Sequence, residues 1–308
     1  MRGRWRIARS LAALVIAVSA GVACGNDTPK TLSNKLDVVT AFYPIEFAAK
    51  RIGGTFVDVT NLTPPGAEPH DLELKPSDVT SLRSADLVLY FDKGFQPAVD
   101  DALKNTPDPT RAVDLLAGLA LKAPPPGEEE EISVDPHVWL SPALMQNLVD
   151  GIADAIAKEL PSNATEIRNN ATSLKSELTT LDQEFKTGLA SCARKEIFTS
   201  HAAFAYLADA YGLNQIPITG ISPEAEPSAS RLQQIAAQAK AGHATTIFFE
   251  TLVSPRVSQA VARIVGAKTL VLDPIEGLTP DESGAGADYF SVMRSNLRNL
   301  KEALDCKT

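Results

Sequence analysis

The sequence predicts an α/β protein with two parallel-sheet lobes joined by one long rigid helix. Three observations predict this fold. Short runs rich in β-branched residues alternate with helical segments in both halves of the chain, and such alternation is typical of parallel sheets with helical crossovers. A long amphipathic stretch separates the two halves. The 308 residues are 44% hydrophobic, so the chain is long and apolar enough to fold as two lobes.

The N-terminal lobe is predicted to cover residues 36–160. Its strands are marked by dense Val, Leu, Phe and Tyr bounded by turn residues, and they fall at 36–42, 56–62 and 86–91. Helices are predicted at 44–52, 76–84 and 142–160. The last of these has an apolar residue at every fourth position and ends before Pro161. Residues 123–133 contain three prolines and four glutamates, a composition that predicts an exposed loop.

The linking helix is predicted at residues 161–190. Its apolar stripe follows helical spacing and consists of Ile167, Leu174, Leu178, Leu181 and Phe185. A helix of this length extends about 40 Å, which is long for a globular protein and suits a strut between two lobes. The C-terminal lobe then covers 191–308, with predicted strands at 197–200, 215–218, 245–250 and 269–272 and helices at 202–211, 228–240, 255–265 and 289–304.

The N-terminus predicts export and attachment to lipid. Four arginines precede a short apolar stretch, residues 11–23, that is too short to span a bilayer. The stretch ends in small residues followed by Cys24. This pattern resembles the lipobox at which bacterial lipoproteins are cleaved and diacylated, although Gly21 stands where a large aliphatic residue is usual. We predict a signal peptide at 1–23 and a lipid-anchored flexible tether at 24–35; an ordinary cleaved signal peptide is the alternative.

Two cysteines remain if Cys24 carries the lipid. Cys192 and Cys306 would then lie in an oxidising compartment, where a disulfide is the usual state. The bridge would tie the C-terminus to the start of the C-terminal lobe. The alternative is a thiolate metal site, but neither a C-x-x-C spacing nor a neighbouring histidine favours it.

The charge of the chain and its missing motifs bear on function. The net charge is −9, which argues against nucleic-acid binding because a phosphate-binding protein needs a concentrated basic surface. The sequence has neither the H-E-x-x-H of zinc proteases nor the G-x-S-x-G of serine hydrolases. We therefore predict a protein that is not an enzyme, with a hydrolase as a minor alternative.

Three of the four histidines lie where a strand or loop gives way to a helix, namely His70, His137 and His201. Asp273 directly follows a predicted strand. Residues beyond the carboxyl ends of parallel strands meet at one cleft, so these four side chains are predicted to converge, two from each lobe. The remaining histidine, His243, follows a helix end, where an imidazolium is mildly favoured, and is not expected to join them.

Three imidazoles and one carboxylate are a ligand set that suits tetrahedral Zn²⁺. Mg²⁺ and Ca²⁺ prefer oxygen ligands, and a manganese site would normally contain more carboxylate. Metal-bound histidines usually donate their other N–H to an acceptor, and the candidate acceptors here are Glu68, Asp135 and Glu250. Glu250 is also the alternative fourth ligand, which would leave Asp273 outside the metal.

Seven local motifs carry a resemblance to a known family. They lie between about residues 36 and 280 and comprise AFYPIEFAAKRIGG, PPGAEPHDLELKPSD, DPHVWLSP, SHAAFAYLADAYGL, SPEAEPSA, FFETLVSP and LDPIEGL. Through them the chain resembles the zinc-binding solute-receptor lipoproteins of bacterial ABC-type metal importers, a family that also includes manganese receptors. The resemblance implies two α/β lobes joined by a rigid helix, with the metal in the cleft between them. It also implies that the ligands are His70, His137, His201 and Asp273.

The resemblance implies an extracytoplasmic receptor, anchored to the cell membrane, that captures Zn²⁺ and delivers it to the permease of an ABC importer. We expect it to be a monomer. Manganese receptors typically carry Glu at the position of His201, so the histidine favours zinc. Many zinc receptors carry a histidine-rich acidic loop between the first two ligands, but here that loop has glutamates and no histidine. A manganese or other divalent-cation receptor and a metal-containing surface adhesin are the alternatives.

Overall fold

The computed structural model describes residues 35–105, 111–125 and 132–307. The predicted signal peptide, the tether up to residue 34 and most of the acidic loop lie outside the described residues. Within the described ranges, no helix combines the length and the apolar character needed to cross a membrane. The predicted arrangement of two parallel-sheet α/β lobes with one long helix is confirmed.

The first sheet has four parallel strands in the order β2-β1-β3-β4. They are β1 (Leu36–Thr40), β2 (Val57–Asn61), β3 (Leu87–Tyr90) and β4 (Ala112–Asp114). The first three lie within the predicted ranges. The sequence does not predict β4, because three residues are too few to show a strand period.

In the described part of this lobe, four α-helices accompany the first sheet, and each has a proline in its first turn. They are α1 (Tyr43–Gly53), α2 (Pro76–Ser84), α3 (Pro97–Lys104) and α4 (Pro142–Glu159). Proline suits this position because its fixed φ is helical and the N–H that it lacks would have no helical partner. The sequence analysis did not predict α3. At the end of α1, a Cβ on Gly53 would collide with the side chain of Val57, so glycine lets β2 begin directly after the helix.

The long helix α5 (Ala164–Leu189) packs against α1, α4 and α10 (Tyr289–Leu304). The predicted apolar stripe is buried along the whole helix, with Ile167, Leu174, Leu178, Leu181 and Phe185 each no more than 1% exposed. One face of α5 therefore contacts helices from both halves of the chain, as expected of a strut.

The second sheet repeats the topology of the first. Its parallel strands run in the order β6-β5-β7-β8 and are β5 (Glu196–Thr199), β6 (Asn214–Pro217), β7 (Thr246–Phe249) and β8 (Lys268–Val271). The accompanying helices, besides α10, are α6 (Ala205–Ala210), α7 (Ala229–Ala241), α8 (Arg256–Val265) and α9 (Pro280–Gly284). Because both sheets are parallel, the carboxyl ends of their strands form two edges from which loops can meet.

A single large core connects the two sheets. It runs from Val38 in β1 through Ile152 in α4 and Leu178 in α5 to Leu300 in α10. Smaller apolar clusters cover the outer face of each sheet. The loops that leave the strand ends are therefore held on one continuous packed frame. The exact lobe boundaries at residues 160 and 191 stay predictions.

The predicted disulfide between Cys192 and Cys306 is present and closes a separation of 114 residues. The two cysteines also form an antiparallel backbone bridge, flanked by hydrogen bonds from Ala193 N to Asp305 O and from Lys307 N to Ser191 O. The bridge fastens the end of α10 beside the end of α5. In the chain-entropy account, closing a loop of this size stabilises the fold by roughly 4–5 kcal/mol.

Reduction of this disulfide should lower the free energy of unfolding by about 2–5 kcal/mol, because the unfolded chain regains the freedom that the bridge removes. Urea unfolding with and without reductant measures the difference. The C192A/C306A variant is the control, since reductant should not change its unfolding. Two titratable thiols in the unreduced, denatured mature protein would contradict the bridge.

Candidate metal centre

Four loops bring a histidine or a carboxylate to one place between the sheets. His70 lies on the loop between β2 and α2, and His137 directly precedes the short 3₁₀ turn before α4. His201 follows β5 by two residues, and Glu276 lies between β8 and α9. Each side chain is thus placed beyond a strand end or before a helix, where backbone direction changes and side chains from separate elements can meet.

These four side chains form a compact buried cluster. Each offers one ligand atom, and the four atoms lie within 4.8 Å of one another. All four residues are at most 6% exposed. The three histidines therefore converge as predicted, and the carboxylate that joins them is that of Glu276.

Four of the six separations between candidate ligand atoms match those around a tetrahedral ion. Glu276 Oε1 lies 3.1 Å from His137 Nε2, 3.3 Å from His201 Nε2 and 3.4 Å from His70 Nε2. The Nε2 atoms of His137 and His201 are 3.4 Å apart. Ligand atoms bound about 2.0–2.1 Å from a tetrahedral zinc lie roughly 3.3–3.4 Å from each other. The residues present therefore fit a small four-coordinate ion.

Two of the histidines are oriented by buried carboxylates. His137 Nδ1 lies 2.8 Å from Asp135 Oδ1, and His201 Nδ1 lies 2.7 Å from Glu250 Oε1. Each pairing occupies the Nδ1 atom and directs Nε2 into the cluster. Asp135 also accepts the backbone N–H of His137 at 2.9 Å, and Glu250 accepts the hydroxyl of Ser200. The predicted roles of Asp135 and Glu250 as partners of ligating histidines agree with this geometry.

His70 is held differently. Its Nδ1 has no hydrogen-bond partner among the described residues, and its ring stands edge-on to Phe95 with centroids 4.6 Å apart. Glu68, the predicted acceptor, instead accepts the N–H of Asp71 at 3.2 Å through one oxygen, while its other oxygen is buried without a partner. Packing rather than a carboxylate thus orients this imidazole.

The carboxylates and imidazoles of the cluster favour one another's charged forms. Burial acts to raise the pKa of Glu276, but His201, His137 and His70 outweigh it and hold that pKa well below its usual value. Burial acts to lower the pKa of His201, but the charges of Glu250 and Glu276 hold it well above the usual value. Ionised carboxylates in a buried pocket make the site attractive to a cation.

Asp273 lies outside this cluster, and Glu276 takes the position predicted for it. Asp273 Oδ1 accepts the N–H of Ile275 at 2.7 Å, and Oδ2 accepts the hydroxyl of Thr251 at 2.8 Å. Burial raises the pKa of Asp273 to about 7. One carboxylate oxygen of Asp273 therefore bonds within its own loop, as aspartates in turns commonly do, and the other bonds to the residue Thr251 after β7.

This turn explains why the carboxylate that joins the histidines comes three residues later. Ile275 has a φ of 56°, a left-handed conformation that a β-branched residue rarely adopts. The side chain of Asn296 holds the backbone of Asp273, accepting from its N–H at 2.9 Å and donating to its carbonyl at 2.7 Å. Such strain persists only where surrounding contacts enforce it. Here the strained turn places Glu276 beside the three histidines. The motif LDPIEGL contains this second acid, Glu276, but nothing in the motif predicts the turn that brings it to the histidines.

Glu250, the alternative fourth ligand, is instead the hydrogen-bond partner of His201.

Residues 38–303 match the family model for ZnuA, the periplasmic component A of the zinc-uptake complex. The chain belongs to this family. It is 36% identical to the high-affinity zinc uptake system protein ZnuA of Bacillus subtilis over 99% of both chains. It is also 36% identical to the zinc-binding lipoprotein AdcA of Streptococcus pneumoniae over 92% of this chain, which spans 58% of the length of AdcA.

Solved structures of relatives share the fold. The Zn(II)-bound ZnuA-like domain of Streptococcus pneumoniae AdcA superposes with a TM-score of 0.76 at 35% identity, covering 88% of this chain and 99% of that domain. The laminin-binding protein Lmb of Streptococcus agalactiae, described as a bifunctional protein with adhesin and metal-transporting activity, gives 0.77 at 29% identity, with 87% and 99% covered.

Substitutions distinguish the two acids of the LDPIEGL loop. Glu276→Gln should weaken zinc binding by more than about 100-fold, because losing a ligand exceeds the roughly 10- to 100-fold effect of losing an outer hydrogen-bond partner. Asp273→Asn should weaken it by about 10-fold at most, since Asp273 acts only through its loop. Competition with a chromogenic chelator measures both constants. Equal losses of zinc affinity in the two variants would indicate that Asp273 is a ligand.

Proposed function

We propose that this protein is an extracytoplasmic zinc receptor, which captures Zn²⁺ at His70, His137, His201 and Glu276 and delivers it to an ABC-type importer in the membrane. The observation that carries the proposal is a buried cluster of three imidazoles and one carboxylate in which four separations between candidate ligand atoms are 3.1–3.4 Å. Zinc is the cargo, so the site must both hold and release it.

The donor set favours zinc over manganese. Three imidazole nitrogens and one oxygen suit Zn²⁺, whereas Mn²⁺ prefers more oxygen ligands and a larger coordination number. Two of the histidines are oriented by carboxylates, which favours a fixed tetrahedral geometry. The names of the related proteins ZnuA and AdcA support the same metal.

Capture rather than catalysis follows from the ligand count. A catalytic zinc usually has three protein ligands and an open position for water or substrate. Here four side chains each offer one ligand atom within 4.8 Å of the others, and these residues are at most 6% exposed. We therefore propose that the protein has no hydrolytic activity of its own and acts as a solute-binding receptor.

Attachment to the membrane is proposed to occur through lipid on Cys24, after cleavage of residues 1–23 and with residues 24–35 as a tether. The related AdcA is named a lipoprotein, and the chain begins with a basic and then an apolar segment ending at Cys24. A lobe at 36–160, a linking helix at 161–190 and a lobe at 191–308 would then work as a tethered monomer beside the permease.

Adhesion is a second candidate function, favoured by the likeness to Lmb. Such a role would use the outer surface of the protein and would leave the zinc site unchanged. Loss of adhesion without loss of zinc uptake, or the reverse, would separate the two functions in variants of the surface and of Glu276.

Metal analysis tests the proposed cargo. Protein purified without chelator should contain one zinc per chain, and competition titrations should rank Zn²⁺ above Mn²⁺. Cells lacking the protein should regain growth in zinc-limited medium when given the wild type but not Glu276→Gln. Tighter binding of Mn²⁺ than of Zn²⁺ would instead identify a manganese receptor, and no bound metal would end the proposal.

Fractionation tests the anchor. A Cys24→Ala variant should leave the membrane fraction and appear in the soluble or secreted fraction, because it lacks the thiol that carries the lipid. Cys192→Ala is the matched control, since it removes a cysteine of the mature protein and should stay with the membrane. Continued membrane association of Cys24→Ala would refute anchoring through this residue.

A further inference from the structure

The short segment that carries His137 is fastened to the C-terminal half of the chain by three hydrogen bonds. Tyr206 donates its hydroxyl to the carbonyl of Asp135 at 2.8 Å, and Tyr289 donates its hydroxyl to the carbonyl of Trp139 at 2.6 Å. The indole N–H of Trp139 donates to the carbonyl of Pro274 at 2.7 Å. We call these three bonds the brace.

Each bond of the brace starts or ends close to a residue of the metal cluster. Asp135 and Trp139 each stand two positions from His137, Pro274 stands two positions before Glu276, and Tyr206 stands five positions after His201. The brace thus joins the backbone around His137 to the loop that carries Glu276, to α6, which follows the loop of His201, and to α10. Movement of His137 relative to His201 or Glu276 would therefore stretch at least one of these bonds.

The residues of the brace are buried. Trp139 and Tyr289 are fully buried, and Tyr206 is 4% exposed. Hydrogen bonds in a low-dielectric interior are stronger than in water, and a donor left without its acceptor there is costly. These bonds therefore resist small displacements that exposed contacts would allow.

We propose that Tyr206 and Tyr289, with the indole of Trp139, are positioning residues that set the separation of His137 from His201 and Glu276 before zinc arrives. The inference rests on the proposed zinc-receptor function. A cluster fixed at tetrahedral spacing suits zinc and disfavours ions that need longer bonds and more ligands. The brace thus acts on selectivity as well as affinity.

The hydroxyl groups can be separated from the packing role of the rings. The Tyr289 ring stacks on Phe47 at 5.7 Å, and Tyr→Phe substitutions keep such ring contacts while removing one donor. Tyr211 provides a matched control, because it is also buried and its hydroxyl donates to Asp182 at 3.1 Å, outside the brace. Each of the three Tyr→Phe variants therefore loses the hydrogen bond that its hydroxyl donates, and Tyr206→Phe also loses the bond that its hydroxyl accepts from the backbone N–H of Lys122 at 2.8 Å.

The test compares metal binding by the full mature chain of each variant. Tyr206→Phe and Tyr289→Phe should each weaken zinc binding by about 10-fold, the lower end of the effect of outer partners on metal affinity. The ratio of their Zn²⁺ affinity to their Mn²⁺ affinity should fall. The visible absorption of the Co²⁺-substituted variants, which is strong for tetrahedral Co²⁺, should weaken. Tyr211→Phe should bind all three ions like the wild type.

Thermal unfolding of the metal-free proteins separates positioning from general stability. Comparable melting temperatures for the three variants, with metal effects only in the two brace variants, support the proposal. Unchanged zinc affinity, ion preference and Co²⁺ spectrum in Tyr206→Phe and Tyr289→Phe would overturn it. If Tyr289→Phe does not fold, Tyr206→Phe alone decides. A wild type that binds no zinc would instead refute the proposed function itself.

Discussion

Three imidazole nitrogens meeting at one buried carboxylate oxygen of Glu276 are the constraint on which the rest of this structure depends. An ionised carboxylate at 1% exposure is tolerated only when paired or bound to a metal. The surrounding histidines supply that pairing, and Asp135 and Glu250 then supply acceptors for two of the histidines. Because the four cluster residues come from four different loops, a rigid, well-packed scaffold is needed to keep their separations constant.

The fold provides that scaffold through two sheets of the same topology. Both sheets have the same strand order and are wholly parallel, so each half sends its loops from the carboxyl ends of its strands. The helix α5 and the shared core hold the two halves in one packed unit. Helix α10 also holds the loops of the site in place, because Asn296 forms hydrogen bonds with the backbone of Asp273 and Tyr289 forms one with the carbonyl of Trp139.

The site is asymmetric in how its ligands are held. His137 and His201 are fixed by carboxylates, whereas His70 rests edge-on against Phe95 and has no acceptor for Nδ1 among the described residues. Burial strengthens the electrostatic attraction for a cation, because little water screens the carboxylates. In the proposed zinc site, charge and burial would set the affinity, and the rigidity of the ligand spacing would set the choice among cations.

The sequence by itself determined the fold class, the long helix, the disulfide partners and the three histidines that converge, because hydrophobic period, cysteine number and position after strands are local features of the chain. It missed β4, which is too short to show a period, and it placed Asp273 where Glu276 lies. Only tertiary structure decided that point. The choice depends on a left-handed Ile275 and on Asn296, which reaches back from α10 to hold the turn. A contact between residues so far apart in sequence leaves no local pattern, so the acid that enters the cluster is selected by folding.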